Sequence, residues 1–350
     1  MPTVEDRARS SMQERLENFR ALLGPTPITP VTLNIGGRPR TIHLKLEGHN
    51  VAGSVKARTA YGLVRSLLEQ GRLQPGGRLL ESTSGNLGIA LATLARYLGV
   101  SFTAVVDPLI APECLHRLSE LGADVVTVTE RDASGGYLLS RLATVAELLE
   151  ADDSYVWTNQ YGSPENPAIH RELTGPELLG QLPRSPDAVF AAISTGGTFS
   201  GISQYFREHS PGTAMVAVDI EGSVAFRGSP GRRHLSGIGA SRPSGFLDDS
   251  LVDHFAIAGI YESAHYCRLV LRTAGLHLGA SAGAVVAGCV RYLTRHPETD
   301  LVVCLCADGG EKYAGTVYSD AWLRSIGLEP PPEADAVPVA SEDAILSGVG

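Results

Sequence analysis

Four short segments of this 350-residue chain combine residue types that could take part in covalent catalysis and anion binding. Lys56 lies among small and apolar neighbours in the segment Gly53-Ser54-Val55-Lys56-Ala57. Three segments rich in glycine and hydroxyl side chains lie further along the chain: Thr83-Ser84-Gly85-Asn86, Ser194-Thr195-Gly196-Gly197-Thr198 and Gly279-Ala280-Ser281-Ala282-Gly283. An amine can form an imine with a carbonyl group, and such loops can bind anions through backbone N–H and hydroxyl groups.

Lys56 is the candidate catalytic residue. We expect its segment to be a loop, in which a single lysine is more often a solvated surface charge. The small and apolar neighbours favour a different interpretation, because partial burial lowers the pKa of an amine and makes it a better nucleophile.

The segment 194–198 is a candidate phosphate loop. It follows an apolar run that predicts a strand, and a predicted helix begins at Gly197. Glycines let the backbone approach an anion closely, and the positive end of the helix dipole favours negative charge. The alternative is an ordinary turn rich in helix-capping residues.

The segment that begins at Thr83 has the same context of strand, polar loop and helix. It could hold the carboxylate of an amino acid through hydroxyl and backbone N–H groups, and the amide of Asn86 could donate to a phenolate oxygen. An N-cap is the alternative.

Ser281 begins a helix of small residues, where it is either a capping serine or a neutral hydroxyl offered to a pyridine nitrogen. In this order, the four segments predict a pocket for pyridoxal phosphate in an enzyme that acts on amino acids.

Composition limits the range of partners. The hydrophobic content is 43% and the net charge is −9 at pH 7, so we expect small amino-acid substrates and neither nucleic acid nor membrane surfaces. The N-terminus resembles no signal peptide and no apolar stretch is long enough to span a bilayer, so we expect a cytoplasmic protein. The five cysteines and ten histidines show no ligand spacing, so no metal site is predicted.

Strand-like and helix-like segments alternate along the chain, which predicts an α/β fold with two parallel-sheet lobes that face a cleft. Strands are expected at 41–46, 78–81, 102–106, 124–128, 188–193, 213–219, 253–258 and 300–307, and helices at 4–23, from 86, at 112–121, 136–149, from 197, at 261–274 and 282–293. We expect an N-terminal helix in 1–24, a large cofactor-binding lobe in 25–48 and 162–327, a small mobile lobe in 49–161, and a flexible tail in 328–350, where prolines and small residues prevail.

The four segments resemble fold-type II pyridoxal-phosphate enzymes, the group of cysteine synthase and cystathionine β-synthase. The resemblance extends from about residue 24 to residue 323. Segments 81–92, 105–108, 237–242 and 318–323 are most similar to the members that supply 2,3-diaminopropionate for siderophore or antibiotic biosynthesis. The resemblance implies two α/β lobes like those of the tryptophan synthase β subunit, pyridoxal phosphate as cofactor, and a homodimer.

The resemblance also implies a role for each cofactor residue. Lys56 matches the lysine that forms the Schiff base and accepts the Cα proton, and Asn86 matches the residue that contacts the ring oxygen. Ser281 matches the residue that faces the pyridine nitrogen. The phosphate loop matches Ser194-Thr195-Gly196-Gly197-Thr198, although cysteine synthases have glycine at the first position, so Ser194 could contact the substrate instead.

On the substrate side, the resemblance places Thr83, Ser84, Gly85 and Gln160 at the substrate carboxylate. The residue that matches the floor of the active site is Gly237. Arg141 and Tyr161 match positions that contact the leaving group, with a structural salt bridge as the alternative for Arg141.

The resemblance implies a transferase that catalyses β-replacement. O-phospho-L-serine would lose its phosphate to give an aminoacrylate intermediate, to which the amino group of L-glutamate would add. Three alternatives are a cysteine synthase that uses O-acetyl- or O-phosphoserine and sulfide, a serine or threonine dehydratase that releases pyruvate, and a catalytically silent scaffold.

Overall fold

The computed structural model describes residues 4–83, 85–132, 136–331 and 345–346. The strands are β1 (Ile28–Ile35), β2 (Arg38–Leu46), β3 (Arg78–Ser82), β4 (Ser101–Val106), β5 (Asp124–Thr127), β6 (Tyr155–Trp157), β7 (Ala188–Ala192), β8 (Ala214–Ile220), β9 (His254–Ala258), β10 (Val302–Cys306) and β11 (Ile345–Leu346). The α-helices are α1 (Val4–Arg20), α2 (Lys56–Glu69), α3 (Asn86–Leu98), α4 (Pro112–Glu120), α5 (Leu138–Ala151), α6 (Glu165–Ile169), α7 (Gly175–Gly180), α8 (Gly197–His209), α9 (Ile260–Ala274), α10 (Ala280–Arg295) and α11 (Asp320–Ser325). A π-helical turn, His170–Thr174, connects α6 to α7.

The chain divides into two compact units. The first comprises Met1–Gly24 and Asn50–Ile169, and the second comprises Pro25–His49 and His170–Gly350. Helix α1 therefore belongs to the first unit, and Arg9 in this helix donates to the Leu68 carbonyl oxygen of α2 at 3.2 Å.

The first unit extends beyond residue 161, the expected end of the small lobe. Helix α6 also belongs to it, because Ile169 packs directly against Gly62 of α2, where an added Cβ would lie 2.6 Å from the isoleucine. The expected tail largely coincides with 332–344 and 347–350, which lie outside the described residues. The mobility of the small lobe stays a prediction.

The first unit is built on a parallel sheet of four strands in the order β5-β4-β3-β6. Its central strands are apolar runs, as expected where helices cover both faces of a parallel sheet. Leu79 and Leu80 of β3 are fully buried, and Leu80 packs in one cluster with Val105 and Val145. This core fixes the strand ends from which the polar loops emerge.

The second unit contains a seven-stranded sheet in the order β1-β2-β10-β7-β8-β9-β11. The strands from β2 to β9 in this order are parallel, and β1 and β11 pair antiparallel at the two edges. Helix α10 is almost entirely buried. Its small residues allow this, since an added Cβ on Gly283 would lie 2.2 Å from the Ser263 carbonyl oxygen of α9.

The predicted strands and helices are present, and α3 and α8 begin at Asn86 and Gly197 as predicted. Strand β1 was not predicted, because Pro30 interrupts its apolar pattern; the strand lies at a sheet edge, where proline is tolerated. Gly36 and Gly37, both with positive φ, form the tight turn to β2. Among the described residues, no helix is both long and apolar enough to cross a bilayer.

Candidate active site

Lys56 is the first residue of α2, so the expectation that it lies in a loop is wrong. The preceding turn is held by Asn50, whose Nδ2 donates to the Ser54 carbonyl oxygen at 2.8 Å and whose Oδ1 accepts from the Ala52 N–H at 3.1 Å. The apolar side chains of Val55 and Ala57 on either side are buried. Side-chain packing thus fixes the start of the helix that carries the amine.

Burial lowers the pKa of the Lys56 amine from 10.5 to about 8. A larger fraction of the amine is therefore neutral near physiological pH than in an ordinary lysine, and the neutral amine is the form that attacks a carbonyl carbon. The side chain is only partly exposed. The interpretation of Lys56 as a fully solvated surface charge does not fit these surroundings.

The loop after β3 lies at the carboxyl edge of the first unit's sheet. Thr83 Oγ1 accepts a hydrogen bond from the Gly88 N–H at 3.0 Å, so this hydroxyl stabilises the start of α3 while its own proton can still be donated. Gly85 is the N-cap of α3, and Asn86 is its first residue. Ser84 lies outside the described residues.

Gln160 follows β6 at the same edge of the sheet. It is 6% exposed, and its Nε2 donates to the Ser82 carbonyl oxygen at 3.0 Å. Asn159, immediately before it, has φ of +50°, an uncommon conformation for a residue other than glycine. The structure therefore brings Gln160 next to the β3 loop, and Tyr161 follows it, partly exposed.

Arg141, in the first turn of α5, forms a buried ion pair: its Nε lies 3.3 Å from Asp107 Oδ2. Asp107 follows β4, which neighbours β3, and its other carboxylate oxygen accepts from the Leu109 N–H at 2.9 Å. The salt bridge that was the alternative for Arg141 is thus present. Nε makes no hydrogen bond in this pair, and no hydrogen bond among the described residues engages the terminal guanidinium nitrogens.

In the second unit, the segment 194–198 connects β7 to α8. Gly196 has φ of +90°, and an added Cβ would lie 2.2 Å from Ser244 Oγ, so only glycine fits there. The Ser194 hydroxyl donates to the Gly239 carbonyl oxygen at 3.0 Å, and Thr198 Oγ1 lies 3.2 Å from His170 Nε2. The side chains thus anchor the loop, and the first N–H groups of the 13-residue helix have no acceptor within the helix.

Ser281 is 2% exposed near the start of α10. The N-cap of this helix is Gly279, so Ser281 is not the capping serine. No hydrogen bond found in the described part of the chain engages its hydroxyl, which therefore remains available to a ligand.

Gly237 lies in a loop that follows β8, with φ of +82° and with Tyr313 Oη 3.7 Å from the position of an added Cβ. Tyr313 donates to Asp308 Oδ2 at 2.9 Å, and Lys312 Nζ lies 2.7 Å from the same oxygen. The Asp308 carbonyl oxygen accepts from the Gly279 N–H at 3.1 Å. One chain of contacts thus links the Gly237 loop to the start of α10.

Sequence reasoning missed three polar residues that hold these loops: Glu81, Asp107 and His170. Glu81 and Asp107 stand at the ends of predicted strands, which was an available signal, whereas nothing in the sequence places His170 beside Thr198. Among the described residues, no group of three or more histidine, cysteine, aspartate or glutamate side chains could hold a metal ion.

These features fit pyridoxal phosphate. The amine of Lys56 has a lowered pKa, the start of α8 offers backbone N–H groups to a dianion, and the Ser281 hydroxyl is unused. A family model described as "Pyridoxal-phosphate dependent enzyme" matches residues 20–308, well over half of the chain. The chain belongs to the family of pyridoxal-phosphate-dependent enzymes.

The chain is similar over most of its length to several synthases. The N-(2-amino-2-carboxyethyl)-L-glutamate synthase of Ralstonia nicotianae is 41% identical over 304 residues, which are 87% of this chain and 90% of the relative. The crystal structure of O-ureido-L-serine synthase matches with a TM-score of 0.78 and 28% identity, over 87% of this chain and 98% of that chain. The O-acetylserine-dependent cystathionine β-synthase of Helicobacter pylori matches with a TM-score of 0.77 and 28% identity, over 86% and 98%. The predicted fold and cofactor are confirmed.

The amine of Lys56 should titrate with a midpoint near pH 8 in the folded, cofactor-free protein. Only three lysines occur in the chain, at positions 45, 56 and 312, so pulse acylation followed by peptide mass spectrometry can report on each one. Burial disfavours the charged form, so labelling of Lys56 should rise as pH passes about 8. The urea-unfolded protein is the control, with a midpoint near the ordinary value of 10.5. A midpoint near 10.5 in the folded protein would contradict the claim that burial lowers the pKa of Lys56.

Gly196→Ala should weaken the binding of pyridoxal phosphate by about tenfold or more, because a side chain at positive φ costs roughly 1–3 kcal/mol and this one also meets Ser244. Equilibrium dialysis of the cofactor measures the effect without any activity assay. The matched control is Gly180→Ala in α7, where an added Cβ meets nothing within 4 Å and φ is not positive. Equal affinity in the two variants would remove this loop from the cofactor site.

Proposed function

We propose that this enzyme is a β-replacement synthase that joins O-phospho-L-serine to the amino group of L-glutamate. The product is N-(2-amino-2-carboxyethyl)-L-glutamate. The observation that carries the proposal is the 41% identity, over 87% of the chain, to the synthase of that name from Ralstonia nicotianae. The similarity of the fold to O-ureido-L-serine synthase and to an O-acetylserine-dependent enzyme supports replacement at the β-carbon of a serine derivative.

The bonds balance without a further reactant. The Cβ–O bond of O-phosphoserine breaks and releases inorganic phosphate, and a Cβ–N bond to glutamate forms as the amino group loses a proton. Pyridoxal phosphate, when bound, takes up the electron pair left on Cα after deprotonation, which allows the β-substituent to leave. Lys56 would hold the cofactor through its amine, and would then accept the Cα proton and return it.

The other cofactor residues would bind pyridoxal phosphate and hold it in a fixed orientation. The phosphate would lie against the backbone N–H groups that begin α8, between Ser194 and Thr198. Ser281 would face the pyridine nitrogen with a neutral hydroxyl, which favours elimination at Cβ over transamination. Asn86, at the first turn of α3, would donate to the ring oxygen.

We assign the remaining residues that the sequence predicted for the site to the substrate. Thr83, Ser84, Gly85 and Gln160 would bind the α-carboxylate of the donor, and Gly237 would line the floor of the site. Arg141 would contact the phosphate leaving group through the nitrogens that the Asp107 ion pair leaves unused, with Tyr161 as a second donor. A guanidinium group has a planar pair of donors that suits phosphate oxygens.

A cysteine synthase or related enzyme is the second candidate. The O-acetylserine-dependent structure, with 28% identity and a TM-score of 0.77, favours it. The two candidates share the first half of the reaction and differ in the nucleophile and the leaving group. We further propose, from the resemblance to the family, that the enzyme works in the cytoplasm as a homodimer.

The proposal predicts that purified holoenzyme converts O-phospho-L-serine and L-glutamate to a product with the mass of N-(2-amino-2-carboxyethyl)-L-glutamate, with one phosphate released per product. Reactions that lack one substrate are the controls. Pyruvate and ammonia formed without any nucleophile would indicate a dehydratase, and absence of the glutamate adduct alongside turnover with sulfide would overturn the proposal in favour of cysteine synthesis.

A further inference from the structure

The Glu81 side chain at the carboxyl end of β3 is fully buried and accepts four hydrogen bonds. Oε2 accepts from Thr158 Oγ1 at 2.6 Å and from the Gln160 N–H at 2.9 Å. Oε1 accepts from the Ser82 N–H at 2.8 Å and from Trp157 Nε1 at 3.3 Å. One carboxylate thus connects the end of β3 to the end of β6 and the loop that follows it.

The charged form of Glu81 is the one that satisfies all of these partners. Two of the partners are backbone N–H groups and one is an indole N–H, which can only donate. Burial raises the pKa of Glu81, and the hydrogen bonds offset that effect only in part by stabilising the carboxylate. A neutral side chain of the same shape would direct a proton toward one of these donors and leave it unsatisfied.

The network extends to the proposed substrate residues. Gln160 Nε2 donates to the Ser82 carbonyl oxygen at 3.0 Å, and Asn166 Nδ2 donates to the Gln160 carbonyl oxygen at 2.7 Å. Thr83 follows Ser82 directly, and its N–H donates to the Val105 carbonyl oxygen at 3.0 Å. The hydrogen bonds of Glu81 to the Ser82 and Gln160 N–H groups therefore help to set the distance between Thr83 and Gln160.

We propose that Glu81 is a positioning residue for the donor amino acid, which holds Thr83 and Gln160 at the spacing that binds the α-carboxylate. This inference rests on the proposed roles of Thr83 and Gln160. It adds a residue that touches neither substrate nor cofactor and yet controls the affinity for the donor.

The opposite end of the same strand pair offers a matched control. Arg78 lies at the start of β3, and its Nη2 donates to Tyr155 Oη of β6 at 2.8 Å. Arg78 Nη1 also forms an ion pair with Asp152 Oδ2 at 2.7 Å. The contact with Tyr155 also joins β3 to β6, but at the amino end of the parallel strands, away from the loops. Its loss should affect stability without affecting the spacing of Thr83 and Gln160.

The test compares Glu81→Gln with Arg78→Met in the holoenzyme by steady-state kinetics and thermal unfolding. Glu81→Gln should raise KM for the serine donor about tenfold while kcat changes less than about threefold, because uniform binding is lost. Arg78→Met should lower the melting temperature and leave KM unchanged. Thr158→Val, which removes one of the four donors and keeps the carboxylate, should raise KM by a smaller factor and provides a test if Glu81→Gln does not fold.

An unchanged KM in Thr158→Val and Glu81→Gln, with stability losses like that of Arg78→Met, would show that Glu81 is merely structural and would overturn the inference. A loss of kcat without a change in KM would overturn it as well. The comparison uses whichever serine donor the wild type accepts, because O-phosphoserine and O-acetylserine carry the same α-carboxylate. A failure of glutamate as nucleophile would therefore sink the proposed function and leave this test intact.

Discussion

The carboxyl ends of parallel strands determine where this enzyme can place its chemistry. In a parallel sheet these ends lie at one edge, and the loops that follow them meet there. In the first unit, β3 leads to Thr83, β4 to Asp107 and β6 to Gln160. In the second unit, β7 leads to Ser194, and the loop after β8 carries Gly237. The hydrophobic interior holds the strands in register, and hydrogen bonds such as those of Glu81 then position the backbone of the polar loops.

Much of the side-chain hydrogen bonding in these loops is already used within the protein. Ser194 and Thr198 anchor the phosphate loop, Thr83 accepts from the first turn of α3, and Arg141 is paired through Nε with Asp107. What remains for an anionic ligand is mainly backbone N–H groups at helix starts, together with the free ends of a few side chains. A loop that is anchored in this way is preorganised, so binding costs little additional ordering.

The sequence predicted the elements that depend on local patterns and missed those that depend on distant contacts. Strand β3 and the start of α3 at Asn86 follow from an apolar run and a glycine-rich turn, and the site segments were visible for the same reason. The helical start at Lys56 was missed, because its N-cap, Val55, is not a capping residue type. The contact of Thr198 with His170 and the contacts of Glu81 with Trp157, Thr158 and Gln160 could not be predicted, since they join residues that are distant in the sequence and show no shared motif.

The most direct measurement of the central claim is a competition for the nucleophile. Wild-type holoenzyme would be given O-phospho-L-serine with equal concentrations of L-glutamate and sulfide, and the two products would be quantified by mass spectrometry at low conversion. The account predicts that the glutamate adduct dominates, because the 41% identity to a synthase of that product extends over most of the chain. Predominant formation of cysteine would contradict it and would assign the enzyme to sulfur metabolism.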